Sequence, residues 1–396
     1  MDECLSIDFA GVRFINPFTI AASPASNTRE RLVRAFNAGW GAAVLKTTSV
    51  EQERVDLVYP MMGDVRFGTK RRMGFVNIDL ISERHINEIE EDIRYLKAEF
   101  PDRVLIGSIM AGNRNDWIEL VQRIEEAGAD MIECSMSCPQ GDSDGAIPAA
   151  NADLTYEVTR WISQARRRNT PIIVKLTPNV TDITAIAKAA ERGGANAVCA
   201  IDTVKGFGGI DLDNFEPKLS VRGQSTLGGL SGPVIKPVAL ACIAELAQSV
   251  RIPIAGVGGI SDWSDAAEFF CLGATTVQLC TSVMRYGVGM ISDLTTGLCN
   301  YLSDKEISRL SGLVGKSLPY LTDHDSLDRE QNVKVHIDYK KCINDKACYI
   351  ACRDGGYNAI EIGEDDRPRV DEEKCRGCGV CMSMCPVSGC IRLKLS

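Results

Sequence analysis

The sequence predicts an α/β protein: an eight-stranded (β/α)8 barrel of the TIM type, with a small α+β domain behind it. Residues 12 to about 300 alternate short apolar runs with amphipathic segments, the rhythm of a parallel sheet whose crossovers are helices. A second sign is a recurring phrase that closes one helix before the next strand. It appears as Ala38-Gly39-Trp40-Gly41, Ala127-Gly128-Ala129-Asp130, Gly193-Gly194-Ala195-Asn196 and Leu272-Gly273-Ala274-Thr275. Glycine at a helix end adopts the left-handed conformation cheaply. The third sign is a tight run of cysteines near the C-terminus, outside the barrel rhythm.

In order, the candidate strands are Phe18–Ala22, Ala42–Lys46, Val104–Ser108, Met131–Cys134, Ile172–Leu176, Ala197–Ile201, Ile254–Val257 and Thr276–Leu279. Helical patterns separate them; Asp116–Ile124, for example, sets its apolar residues at 117, 118, 120, 121 and 124, near the 3.6-residue period. Eight such units in about 290 residues predict a closed barrel. An open doubly wound sheet is the alternative, yet no GxGxxG follows the first strand. The barrel is expected over 1–314 and a linker over 315–340, where Pro319, Asp323, Asp325, Asp328 and Glu330 break the pattern. The small domain then occupies 341–396.

Cys375-x2-Cys378-x2-Cys381-x3-Cys385-Pro386 is the ligand spacing of a bacterial two-cluster ferredoxin, in which three close thiolates hold one [4Fe–4S] cube and the fourth reaches another. A degraded copy precedes it. Cys342, Cys348 and Cys352 keep the register, and Asp345 stands where a second cysteine belongs. The crossing pattern gives Cys342, Cys348 and Cys385 to one cluster and Cys352, Cys375, Cys378 and Cys381 to the other. A carboxylate can ligate iron, so Asp345 either completes a cube or leaves a three-iron cluster. A zinc knuckle, the weaker alternative, prefers two CxxC pairs closing on one tetrahedral ion. A domain of ~55 residues is too small to bury a sufficient core alone, so the clusters are expected to help hold it together. Electrons would move here one at a time, and the barrel's chemistry is expected to be redox.

Composition narrows the class. The chain has 396 residues, enough for one large core and a satellite domain. Met1–Gly11 has neither a basic nor an apolar leader region, and no apolar stretch reaches the ~20 residues of a membrane span. Sixteen cysteines without an export signal point to a reducing, cytoplasmic setting where thiolates serve as ligands or catalysts. A net charge of −9 disfavours nucleic acid or an anionic membrane as partner. With only His85, His324 and His336 present, a multi-histidine metal site is not expected.

In a barrel of this type the C-terminal ends of the strands build the active site. Those ends read Ala22-Ser23, Lys46-Thr47, Ser108, Ser135-Met136-Ser137-Cys138-Pro139, Lys175, Asp202-Thr203, Gly258-Gly259 and Cys280-Thr281. Two lysines at strand ends, Lys46 and Lys175, are costly to bury without anionic or polar partners. The electron-rich N1/O2 edge of a flavin would be one such partner, and a structural salt bridge would be another. Gly256-Val257-Gly258-Gly259 follows the seventh strand and Thr281-Ser282 the eighth, the two places where such barrels commonly bind phosphate.

Several phrases together resemble the FMN-binding dihydroorotate dehydrogenase family: Gly74–Ser82, Ser137-Cys138-Pro139-Gln140-Gly141, Val174–Asn179, Leu227–Gly232 and Lys236-Pro237. With the C-terminal cysteines included, residues 10 to 396 resemble the PreA-type subunits and C-terminal half of dihydropyrimidine dehydrogenases. The resemblance implies one FMN held by Ala22, Ser23, Lys46, Thr47, Asn77, Lys175, Gly232, Gly258, Gly259, Cys280 and Thr281. It implies Cys138 as the acid/base, with Asn77, Asp79, Ser137 and Thr203 touching a pyrimidine ring. Reducing a polarised C=C takes a hydride on one carbon and a proton on the other. A thiol near its reference pKa of about 8.5 can still donate that proton at neutral pH.

Two positions depart from the family. Ser135 and Asp202 stand where it has asparagines. An amide donates and accepts, whereas an ionised aspartate only accepts, so the pocket is expected to favour something other than unmodified uracil or thymine. The leading expectation is a flavin-dependent ring reductase fed through its own clusters by a separate NAD(P)H/FAD flavoprotein subunit or a ferredoxin, in a homodimer or hetero-oligomer. A pure electron-transfer subunit and a dihydroorotate dehydrogenase of pyrimidine biosynthesis are the alternatives.

Overall fold

The computed structural model describes residues 3–50, 57–67, 71–137 and 148–395. The chain divides into two compact units, Met1–Tyr320 and Leu321–Ser396. The first is a closed barrel of eight parallel strands. These are β1 (Phe18–Ile20), β2 (Ala42–Val44), β3 (Val104–Ile109), β4 (Met131–Ser135), β5 (Ile172–Lys175), β6 (Ala197–Ala200), β7 (Ile254–Val257) and β8 (Ala274–Leu279). Each expected strand is present, shifted by at most a few residues at its ends.

Why the chain takes this form is visible in the burial. Every residue of β1, β2, β3, β4, β5 and β6 is buried, as a strand covered by helices outside and side chains inside must be. The crossover helices turn one face inward. In Arg114–Ala127 the buried side chains include Trp117, Leu120, Val121 and Ile124, spaced at helical period. The repeated closing phrase also behaves as its composition predicts. Gly39, Gly128 and Gly194 cap their helices at φ +113°, +100° and +99°, conformations a side chain rarely adopts.

One element was not legible beforehand. Met62–Phe67, Arg71–Asn77, Val204–Gly206 and Gly228–Ser231 form a separate four-stranded antiparallel sheet, packed through Val76, Ile78 and Leu219. Asn77 therefore sits on this sheet, opposite Gly229, and not on a barrel strand.

The expected linker is also narrower than 315–340. Gly315 N donates to Phe270 O at 2.8 Å and Ser317 N to Cys271 O at 2.9 Å, which ties that stretch to the barrel unit. Val333–Ile337 is a strand paired antiparallel with Ile391–Leu395, because alternate residues Val335 and Ile337 bury themselves in the small core. The small unit adds the pair Ile360–Ile362 and Pro368–Val370 and two helices, Ala347–Gly355 and Val380–Met384. Among the described residues no helix is long and apolar enough to cross a membrane.

Candidate active site

Strand direction decides where chemistry gathers in the barrel unit. A cavity of about 1250 Å³ opens at the C-terminal ends of the strands, larger than the roughly 300–1,000 Å³ typical of one small ligand. One wall is the antiparallel sheet, through Met62, Phe75, Asn77, Gly228 and Gly229. Cys138, with the loop residues beside it, lies outside the described residues. All the other expected barrel-site residues line this one cavity. Ala22, Ser23, Lys46 and Thr47 come from the ends of β1 and β2, and Ser135, Ser137 and Lys175 from β4 and β5. Asp202 and Thr203 follow β6, Gly258 and Gly259 follow β7, and Cys280 and Thr281 follow β8. Gly232, Asn77 and Asp79 complete the set.

The two lysines already have carboxylate partners, so an anionic ligand is not the only way to bury them. Lys46 Nζ donates to both oxygens of Asp79 at 3.0 Å. Lys175 Nζ donates to Gln278 Oε1 at 3.1 Å and stands 3.7 Å from Glu133 Oε1. Gln278 in turn donates from Nε2 to Glu133 Oε2 at 2.7 Å. Burial works against the Lys175 ammonium, but Cys199, Glu133 and Asp202 around it hold its pKa above the usual lysine range. Glu133 and Gln278 were missed from the sequence, although a lone glutamate inside the apolar run Met131-Ile132-Glu133-Cys134 signals a hidden cation.

Asp202 is engaged on both oxygens. Ser137 Oγ donates to Oδ2 through a short hydrogen bond, and Thr203 N donates to Oδ1 at 2.7 Å. Asn77 Nδ2 donates to Gly229 O at 3.0 Å, which fixes its amide. Asn179 bridges Thr177 Oγ1 and Thr203 O at 2.9 and 3.0 Å, so the loops after β5 and β6 hold each other. Thr281 Oγ1 donates to Ser231 Oγ at 3.1 Å. Desolvation pushes the Cys280 thiol up to about 11, so it is protonated at neutral pH.

The glycine loop after β7 has features that suit an anionic group. Gly258 (φ +132°) and Gly259 (φ +79°) leave no room for side chains, since a Cβ there would fall 2.8 Å from Ala239 Cβ and from Lys236 N, respectively. Close backbone approach of this kind exposes N–H groups to a phosphate. Ser282 Oγ, which lines the same cavity, is buried and has no hydrogen-bond partner. A buried unpaired hydroxyl costs free energy unless a ligand satisfies it. These residues fit the phosphate of a bound FMN.

In the small unit, Cys352, Cys375, Cys378 and Cys381 line one cavity, together with Val335, Ala359 and Ile360. Cys352 thus lines the same cavity as the three cysteines of the later run. The other group is Cys342, Cys348 and Cys385, packed in the same core, with Asp345 close enough to act on Cys348. Cysteines make up half of the buried residues in that core, Cys348, Cys352, Cys375, Cys381 and Cys390 among them. Backbone N–H groups already point at two sulfurs, Ala359 N to Cys352 Sγ at 3.2 Å and Gly377 N to Cys375 Sγ at 3.5 Å. Such a set of soft thiol donors fits iron–sulfur ligation.

Comparison with known proteins agrees with both halves. Residues 4–302 match the Dihydroorotate dehydrogenase family and residues 335–393 match the 4Fe-4S dicluster domain. The chain is 40% identical over 397 residues to the NAD-dependent dihydropyrimidine dehydrogenase subunit PreA of Escherichia coli K12, covering 98% of this chain and 95% of that one. It is 35% identical over 346 residues to the chloroplastic dihydropyrimidine dehydrogenase (NADP(+)) of Arabidopsis thaliana, covering 84% and 81%. It is also 35% identical over 314 residues to the catalytic subunit of dihydroorotate dehydrogenase B (NAD(+)) of Pyrococcus horikoshii, covering 79% and 98%. With a barrel and a cysteine-rich unit that both match, the chain belongs to the dihydroorotate dehydrogenase family, as a PreA-type oxidoreductase that joins the flavin barrel to a 4Fe–4S dicluster domain.

Proposed function

We propose that this protein adds or removes hydrogen across the C=C bond of a pyrimidine-like cyclic amide. The observation that carries the reading is the single cavity. Its lining includes the close-approach glycines Gly258 and Gly259 with the unpaired hydroxyl of Ser282, and the polar residues Asn77, Asp79, Ser137, Asp202 and Thr203. Bound FMN would supply hydride chemistry, and bound iron–sulfur clusters would supply single-electron transfer. Ala22, Ser23, Lys46, Thr47, Asn77, Lys175, Gly232, Gly258, Gly259, Cys280 and Thr281 would hold the flavin. Lys175, kept positive by its carboxylate neighbours, is the cation suited to the flavin's anionic edge.

The remaining roles belong to the chain's own groups. Cys138 holds the proton delivered to the ring carbon, as a thiol below its pKa can. Asn77 offers an oriented amide to the ring, and Asp79 is held by its ion pair with Lys46. Asp202 accepts from Ser137 and Thr203, so any further ring contact at Asp202 must be a donor. Ser135 has a shorter side chain than the family's asparagine and lines the same cavity. A ring bearing an amino or protonated group at that corner suits this lining better than uracil does. In the small unit, Cys352, Cys375, Cys378 and Cys381 would bind one cluster, and Cys342, Cys348 and Cys385 three corners of another, with Asp345 a candidate for the fourth. A separate cytoplasmic NAD(P)H-oxidising flavoprotein subunit or a ferredoxin would feed them, consistent with the relative named as an NAD-dependent subunit.

The test is direct. Acid denaturation of the purified protein should release FMN, and cyclic amides with an unsaturated ring should reoxidise the photoreduced flavin under anaerobic conditions. Release of FAD, or no flavin, would sink the barrel assignment. A flavin that none of a panel of pyrimidines and related rings reoxidises would leave the chain as an electron carrier and overturn the proposed reaction.

A further inference from the structure

We propose that Cys390 is an iron ligand of the cluster held by Cys342, Cys348 and Cys385, supplying the thiolate that position 345 lacks. The inference rests on the two-cluster reading above. The two half-sites repeat one another: Cys342, Asp345, Cys348 and Cys352 correspond to Cys375, Cys378, Cys381 and Cys385. After each fourth cysteine the chain turns into a strand, at Ile360 in one half and Ile391 in the other. That repeat aligns Ala359 with Cys390, each the last residue before its strand. Ala359 is 1% exposed and lines the cavity ringed by Cys352, Cys375, Cys378 and Cys381. Cys390 is 2% exposed and belongs to the core against which Cys342 and Cys385 pack. Where one site presents a methyl group to its cluster, the other presents a thiol.

The thiol is fixed in place. Asp338 N donates to Cys390 O at 2.8 Å, Cys390 N donates to Val387 O at 3.2 Å, and the next residue is locked in the strand pair Ile337–Ile391. Its sulfur makes a long contact to Asp338 O at 3.6 Å, the carbonyl that also accepts from Cys342 N at 3.1 Å, and Cys385 Sγ reaches Val387 O, the acceptor of Cys390 N, at 3.6 Å. Asp345 is exposed, and its Oδ1 accepts from Ala347 N at 3.2 Å, an Asx turn that needs no metal to explain it. Iron in a sulfide cluster favours a thiolate over a carboxylate. On ligation an iron–sulfur bond forms at Cys390 Sγ, the S–H bond breaks and its proton leaves to water. No electron is transferred, so no oxidant or reductant is required.

The experiment uses the full-length protein, purified without oxygen with its flavin and clusters in place, and reads iron content and electron paramagnetic resonance. The wild type should hold about eight irons per chain, as two cubes require. Cys390→Ala and Cys390→Ser should lose one iron from a single cluster and gain the signal of an oxidised three-iron centre. Asp345→Ala should keep its iron and stay silent. Loss of that iron in Asp345→Ala, or its retention in both Cys390 variants, overturns the proposal, and so does a wild type that already carries a three-iron centre. Where Cys390→Ala does not accumulate, the reduced wild-type cluster still decides the matter. Couplings from the β-protons of four cysteines support Cys390, and couplings from three overturn it. A wild type with only about four irons removes the two-cluster reading itself.

Discussion

The two units solve the problem of a buried polar site in opposite ways. In the barrel the buried charges satisfy one another: Lys46 pairs with Asp79, and Lys175, Gln278 and Glu133 form a closed chain. Around them lies a large apolar core that requires no ligand. In the small unit the functional groups are themselves the core, since half of its buried residues are cysteines. The difference teaches that losing a cofactor should empty one unit and dismantle the other.

The largest effect expected is therefore on folding. Stripping iron with a chelator under reducing conditions should unfold the 321–396 unit while the barrel keeps its helical signal and its flavin, because metal-ligand energy in small domains is folding energy. Proteolysis followed by mass spectrometry reads this. Survival of the small unit in a protease-resistant form without iron would break the contrast. Next in size is the proton donor. Cys138→Ala should slow ring reduction by about 10²- to 10⁴-fold, the range of general acid catalysis, while flavin reduction from the electron-input side continues. Turnover within a factor of a few would send the search to other groups at the cavity mouth.

Breaking the barrel's internal pairing comes third. Lys175→Ala leaves Glu133 buried beside Gln278 alone, and it should cost about 3–5 kcal/mol in urea denaturation together with lower flavin occupancy. Lys46→Ala, which strands Asp79 nearer the cavity mouth, should cost less. Wild-type stability and flavin content in both would contradict the placement of these charges. The smallest effect concerns specificity. Asp202→Asn combined with Ser135→Asn should raise activity toward uracil or thymine by roughly ten- to a hundredfold, the worth of one buried hydrogen-bond partner at about 1–3 kcal/mol. Efficient uracil reduction by the wild type, unimproved in the double variant, would refute this reading of the pocket.

Much of this was legible in the chain because it depends on local pattern. The eight barrel strands announce themselves as apolar runs, and the helix ends as glycines. Pairings across the sheet are not local. Gln278 meets Glu133 across 145 residues of sequence, and no spacing rule brings the two together. The antiparallel sheet escaped because its strands are short or charged; Arg71–Asn77 begins with two arginines and Val204–Gly206 has three residues. Val333–Ile337 escaped because acidic residues and a proline upstream read as linker, while the partner that makes it a strand lies near the end of the chain. Ser282 needed the structure, since only the structure reveals that its hydroxyl is buried and unpaired.

The pairing of Val333–Ile337 with Ile391–Leu395 has a consequence for modularity. The chain enters and leaves the cysteine-rich unit on neighbouring hydrogen-bonded strands, so the path in and the path out lie side by side. A unit whose two ends meet can be spliced into a surface loop of another protein without stretching either host or guest. Residues 333–395 have that arrangement of ends, with Val333 paired to Leu395.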